Sequence, residues 1–164
     1  MHDERRPPQP PAAGAGARLA GRRGARGAGL AGGQTVRDVN PGSGRLTTPA
    51  GSGPPGPLVQ GGAADAAAME VFAAAPDHAG NVVIADVEHQ RIRVAAARTG
   101  TFYGRAMTAG DIYAVAGTGH PGFSGEGGLA TAAELHGPAG AAADGAGNLV
   151  IADTGDGRIR EVAG

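Results

Sequence analysis

The chain has no cysteine, no tryptophan and no lysine, and only five of its 164 residues are aromatic. Without cysteine it can form no disulfide and offers no thiolate to a metal, although this leaves the compartment undecided. Long apolar runs are missing too. Nothing approaches the roughly 20 residues of a membrane-spanning helix, so no membrane partner is expected. Met1 to Gly33 carries Arg, Pro and Gly every few positions, where a secretory signal needs an apolar stretch of about 7 to 15 residues. Leu, Ile, Val and Phe together make up less than a fifth of the chain, a level at which many chains are disordered. The usual companion of disorder, a high net charge, is absent. Alanine and glycine fill the gap, and each buries little area.

The near-zero charge hides two unlike halves. Residues 1–45 hold eight Arg against Asp3, Glu4 and Asp38, whereas residues 46–164 hold six Arg against twelve acids. Residues 1–44 are low in complexity. Pro7-Pro8-Gln9-Pro10-Pro11 suits neither a helix nor a sheet, and Gly14 to Gly33 lacks the apolar area to offset the entropy of ordering it. This tail is expected to be disordered. Arg18, Arg22, Arg23 and Arg26 among glycines could contact phosphates. Yet no aromatic residue precedes Phe72 to stack on a base, so a solvated tail is favoured over a nucleic-acid arm.

What the chain does contain is a repeat. Asp144 to Val162 reads DGAGNLVIADTGDGRIREV, and Asp77 to Val94 reads DHAGNVVIADVEHQRIRV. Asp77, Ala79, Gly80, Asn81, Val83, Ile84, Ala85, Asp86, Arg91, Ile92 and Arg93 all have identical counterparts 67 residues on, without a gap. A match this dense marks a fold made from copies of one supersecondary unit. Within each copy, Asp-x-x-Gly-Asn has turn chemistry and leads into an apolar run such as Leu149-Val150-Ile151-Ala152, the signature of a strand buried on both faces. Thr154-Gly155-Asp156-Gly157 then turns the chain, and Arg158-Ile159-Arg160 resumes with a strand's alternation.

These residues resemble the NHL-repeat family, whose units are four-stranded blades of a β-propeller. GNLVIADTGDGRIREV carries the likeness, with GPAGAAAD before it and IYAVAGTG at the fourth strand of a unit. The longer phrase RTGTFYGRAMTAGDIYAVAGTGHPGFSGEGGLATAAELHGP is similar to the long-insert NHL repeats of actinobacterial proteins. The likeness covers roughly Leu46 to Gly164. Where family members commonly carry paired Asn before the Arg, His89-Gln90 and Asp156-Gly157 stand here. Only the second pair keeps turn chemistry.

The expected fold is therefore all-β: a partial β-propeller of about two four-stranded blades in residues 45–164, behind the tail. Blade one, about residues 71–116, should use Val71 to Ala75, Asn81 to Asp86, Arg91 to Ala96 and Asp111 to Ala116. Blade two, about residues 139–164, should use Gly140 to Ala143, Asn148 to Asp153 and Arg158 to Val162, and it lacks a fourth strand. A worn copy, Leu46 to Gly53, aligns with Ile112 to Gly119. Its strand Leu46 to Ala50 corresponds to the missing one and is expected to pair with Arg158 to Val162, in its own chain or a neighbour. Pro49 confines it to an edge. Two blades cannot close a ring, and about three units are usually needed for stability, so a monomer is expected to be marginally stable and self-association is open.

Motifs that look chemical mostly reduce to architecture. Gly117-Thr118-Gly119-His120-Pro121-Gly122 matches a dinucleotide-binding pattern but lacks the following helix, and it recurs as Gly51 to Gly56 in the other copy. Thr131-Ala132-Ala133-Glu134 fits a capping box for one helical turn that would pack Leu135 under the next blade. His78, His89, His120 and His136 show no metal-ligand spacing, and Ser124 does not sit in a nucleophile elbow. No catalytic, cofactor or metal residue is assigned. The charged pairs Asp86 with Arg91 and Asp153 with Arg158 flank the hairpin turns and are read as structural braces.

The resemblance implies a non-enzymatic platform that binds a protein or another macromolecule, and it places many members outside the cell or at its surface. The alternatives are a piece of a propeller enzyme, lactonase-like or amidating-lyase-like, needing more blades around a metal, and a nucleic-acid binder acting through the Arg-rich tail.

Overall fold

A computed structural model describes residues 35–39, 46–51 and 60–164. What was expected of residues 1–34 and 40–45 lies outside the described residues. The fold is all-β. Its strands are β1 (Val36–Val39), β2 (Leu46–Ala50), β3 (Gly62–Ala63), β4 (Val71–Pro76), β5 (Val82–Asp86) and β6 (Arg91–Ala95). They continue with β7 (Gly100–Phe102), β8 (Arg105–Met107), β9 (Asp111–Ala116), β10 (Pro138–Ala143), β11 (Leu149–Asp153) and β12 (Arg158–Val162). Helix is confined, among the described residues, to single 3-10 turns at Ala64–Ala66, Ala130–Ala132 and Thr154–Asp156. None of these is long and apolar enough to cross a membrane.

Strands β4, β5, β6 and β9 form an antiparallel meander, with the short β3 added beyond β9. This is blade one, with strands where the repeat places them. The β7–β8 hairpin is inserted between its third and fourth strands. Strands β10, β11 and β12 form the three-stranded blade two. The two copies share even their irregularities: the ladder shifts between Val71 and Ala73 in one and between Pro138 and Gly140 in the other.

The apolar run of β5 is buried along its whole length, as a strand covered on both faces should be. On one face Val83, Ala85, Ile92 and Val94 pack with Leu135, Leu149 and Ile151 from blade two and its incoming connection. On the other, Val82, Ile84, Ala95 and Ile112 pack with Val36, Ala50, Ala67 and Met69. Blade one is therefore the middle layer of three. In β11 only Leu149, Ile151 and Asp153 are buried, and Val150 and Ala152 are half-covered.

The third layer corrects two expectations. The tail was read as structureless to residue 44, yet Val36–Val39 is a strand whose Val36 is buried. And Leu46–Ala50 does not pair with β12 in the described residues: its partner is β1. The reason is visible in the register. Val36 pairs with Ala50 ahead of a ladder shift, as Ile92 pairs with Ala116 ahead of one in blade one. β1 and β2 are thus counterparts of β6 and β9, the third and fourth strands of a preceding blade. The third-strand place beside β2, where β12 was expected, is taken by β1.

The capping box also differs. The 3-10 turn is at Ala130–Ala132, its N-cap Leu129 makes no side-chain capping bond, and Ala64–Ala66 is its counterpart. Gly117 and Gly51 donate to Ala130 and Ala64 at 3.0 and 2.8 Å, which fixes the connection between blades in the same way twice. Leu135 is buried under blade two as expected.

Because Val36 fills the second core, removing residues 1–40 is expected to lower the melting temperature. The solvated-tail reading expected no change. Val36→Ala alone should cost roughly 1.5 kcal/mol, measured by chemical denaturation of the full chain.

Candidate functional site

At one end of the blades the hairpins between second and third strands meet the connections that enter each blade. Strand alternation places Asp86 opposite Arg91 and Asp153 opposite Arg158 in the ladders. The buried carboxylates nevertheless engage the next arginine along. Asp86 pairs with Arg93 at 3.3 Å, and Asp153 with Arg160 at 3.5 Å. Both candidates for each pair lie on the same strand face, and the diagonal one is the arginine that points inward. Burial pulls the Arg93 guanidinium below its usual value, with the Asp86 charge and hydrogen bond opposing the shift.

Each pair also stitches in the incoming connection. Asp86 accepts the Glu70 N–H at 3.0 Å while Arg93 donates to the Ala68 carbonyl at 2.9 Å. One repeat on, Asp153 accepts the His136 N–H at 2.7 Å and Arg160 donates to the Glu134 carbonyl at 2.7 Å. The other two arginines go elsewhere. Arg91 donates to the Thr118 carbonyl. Arg158 lies over the Phe123 ring at 4.1 Å, with Arg160 over the same ring at 5.2 Å.

The copies diverge at the turn. His89 Nδ1 lies 2.9 Å from both Asp86 oxygens, but its counterpart is Asp156. Asp153 therefore lacks that donor, and its buried Oδ2 makes no hydrogen bond. Gln90 takes the left-handed conformation, φ 49°, that Gly157 takes at 62°, so the hairpins match despite their residues. A side chain in that region costs about 1–2 kcal/mol. Gln90 offsets it by donating to the Val87 carbonyl at 2.8 Å and accepting the Gly137 N–H of the next connection at 2.6 Å.

Gly117 and Gly119, the start of the dinucleotide-like motif, have φ of 94° and 97°. A Cβ on Gly117 would lie 2.2 Å from the Gln90 carbonyl oxygen. These glycines serve close backbone packing. Ser124 accepts the Glu134 N–H at 3.1 Å, and its carbonyl accepts Arg160 at 2.7 Å. His136 lies 3.5 Å from Asp156. The described residues bring together no group of three His, Asp or Glu suited to a metal.

At the opposite end the Asp-x-x-Gly-Asn loops are superimposable in their bonding. Asp77 Oδ1 accepts the Ala79 and Asn81 N–H groups at 2.9 Å each, and Asp144 Oδ1 accepts those of Ala146 and Asn148 at 2.8 and 2.9 Å. The second oxygen takes the Asn side chain, at 2.8 Å in one loop and 3.0 Å in the other. His78 Nε2 reaches the Asp144 carbonyl oxygen at 2.9 Å and links the loops. Tyr103 donates to Asp77 at 3.0 Å. Burial, with the Asp77 charge and hydrogen bond adding to it, raises the Tyr103 hydroxyl above its ordinary value.

No protein-family model matches the chain, and no curated protein matches it. The chain's own second copy remains the comparison for each residue. At the Asp–Arg end, Phe123 and Leu129 on the connection ahead of blade two are 42% and 77% exposed.

Two outcomes are expected. Arg93→Met leaves Asp86 buried beside a neutral side chain and should cost about 3–5 kcal/mol, whereas Arg91→Met should cost about 1.5 kcal/mol; urea unfolding of both variants gives the order. For Asp144, desolvation raises the pKa, but the hydrogen bonds from Asn148 and the loop N–H groups together outweigh it and hold the value low. A lowered folded pKa means the stabilisation is present above the unfolded value, about 4, and is lost as pH falls through the folded one. The melting gap between wild type and Asp144→Asn should therefore be full at neutral pH and narrow below about pH 4.

Proposed function

We propose that the chain is part of an NHL-repeat-type β-propeller and acts, without catalysing a reaction, as a binding platform for a protein partner. The carrying observation is the patch around Phe123. The ring is 42% exposed and is flanked by two guanidiniums, Arg158 at 4.1 Å and Arg160 at 5.2 Å. Arg160 is fixed by Glu126 at 2.9 Å and by two carbonyls. Arg158 is exposed and can take a partner's carboxylate. Aromatic and Arg side chains held in place beforehand are the usual anchors of protein interfaces, because little side-chain entropy is lost on binding. The buried acids and arginines behind the patch are engaged in bracing the blades, which leaves the loop surface for recognition.

A photoreactive residue at Leu129, exposed on the same connection as Phe123, tests this. Cross-linking to one protein should be competed by unlabelled chain and at least tenfold less well by Phe123→Ala or Arg158→Glu. Competition by those variants as strong as by wild type overturns the assignment. A cross-linked species that is RNA or glycan replaces the protein partner with that class.

A further inference from the structure

The hairpin turn of blade two brings together two carboxylates where blade one has one carboxylate and a donor. In blade one Asp86 is saturated: His89 Nδ1 lies 2.9 Å from both its oxygens, the Glu70 N–H donates to it at 3.0 Å, and Arg93 pairs with it at 3.3 Å. Between the copies the acid and the histidine have exchanged places. Glu70 stands on the connection and His89 on the turn of blade one, whereas His136 and Asp156 hold those places in blade two. Asp153 has no exposed surface, and the Asp156 side chain is only 16% exposed. The Oδ2 atom of each is buried and makes no hydrogen bond.

The two carboxylates converge. Asp153 is the N-cap of the 3-10 turn Thr154–Asp156, and residues three apart in such a turn lie one above the other. Both also reach His136: Asp153 Oδ1 accepts its N–H at 2.7 Å, and Asp156 Oδ1 lies 3.5 Å from its Nδ1. Gly155 between them donates to the His136 carbonyl at 2.7 Å, and a Cβ on that glycine would lie 2.6 Å from His136 Cγ.

Positive charge at this corner is short. Arg160 Nη1 is 3.5 Å from Asp153 Oδ2, but the same guanidinium is held by Glu126 at 2.9 Å. Among the described residues, His136 is the ion-pair partner of Asp156, and it is charged only when protonated. The chain has no lysine to add. A buried carboxylate oxygen without a donor is costly, and a cation between the two would offset that cost.

We propose that Asp153 and Asp156 form a calcium-class cation site that closes the hairpin of blade two, in the role His89 plays in blade one. Carboxylate oxygens are hard donors and suit calcium or magnesium over softer metals. Magnesium demands a near-ideal octahedral shell and gives up its water reluctantly, so a site on a turn favours calcium. No third His, Asp or Glu joins the pair in a geometry suited to a metal. Carbonyls and water must then complete the shell, which places the dissociation constant at the weak end, about 10⁻⁴–10⁻³ M. The proposal is independent of the binding-platform reading, and failure of either leaves the other standing.

The test uses the full chain in calcium chloride, magnesium chloride, or sodium chloride of matched ionic strength. At about 10 mM calcium the melting temperature should rise by about 5 °C over the sodium control, with a smaller rise in magnesium. Asp156→Asn and Asp156→His should both lose the calcium response, and Asp65→Asn, at an exposed acid elsewhere, should keep it. Without calcium, Asp156→His should melt no lower than wild type, because the imidazole restores the donor seen at Asp86. Should the Asp156 variants fail to fold, a calcium titration of the wild type by amide NMR serves. Saturable shifts should then centre on Gly155, Asp156, Gly157 and His136. Equal effects of calcium and sodium, a full calcium response in either Asp156 variant, or saturable shifts centred elsewhere each overturns the proposal.

Discussion

The buried pairing of Asp86 with Arg93, repeated in Asp153 with Arg160, is the constraint on which the rest of the structure depends. Each pair joins the second and third strands of a blade, and the same four groups also take the backbone of the segment entering that blade. A carboxylate with no exposed surface is tolerated only when its charge is matched by a nearby cation. That requirement fixes where the incoming connection lies. Once Glu70 donates to Asp86 and Ala68 accepts from Arg93, the first strand of the blade has one place to begin. The spacing between blades is thus set by polar stitches, and apolar packing fills the layers they define.

Such a division of labour suits this composition. Many buried apolar residues are alanines, among them Ala67, Ala85, Ala95, Ala96, Ala114 and Ala116, and each contributes little burial energy. Small side chains let sheets approach closely, but they also specify register weakly, because one alanine packs much like another. Register is instead held by directional bonds at both ends of each strand pair. The Asp-x-x-Gly-Asn loop closes one end, and the Asn side chain reaches on to the third strand's end, from Asn81 to Ala97 at 3.0 Å and from Asn148 to Gly164 at 3.3 Å. The Asp–Arg stitch closes the other.

The strands of both blades were legible because the repeat marks them twice. The partner of each buried aspartate was harder to read. Both arginines of the Arg-Ile-Arg segment recur, both lie on one face, and only the burial of Arg93 separates them. The first strand was missed because its signal is interrupted. Gln34-Thr35-Val36-Arg37 echoes Gln90-Arg91-Ile92-Arg93, but β2 follows ten residues sooner than β9 does, so no constant offset aligns both strands. The hairpin at His89-Gln90 was legible in length and not in mechanism. Nothing in the residue types shows that a glutamine will hold a left-handed turn by bonding back to Val87 and forward to Gly137.

The positions where the two copies differ carry as much physics as those where they agree. Identity is kept at groups whose partners are the same in both blades: the loop Asp and Asn, the paired Asp and Arg. It is lost where the neighbours differ. His89 completes the shell around Asp86, while Asp156 at its place faces His136 and leaves Asp153 with one oxygen unbonded. Val94 is covered by blade two, while Glu161 at its place is in water.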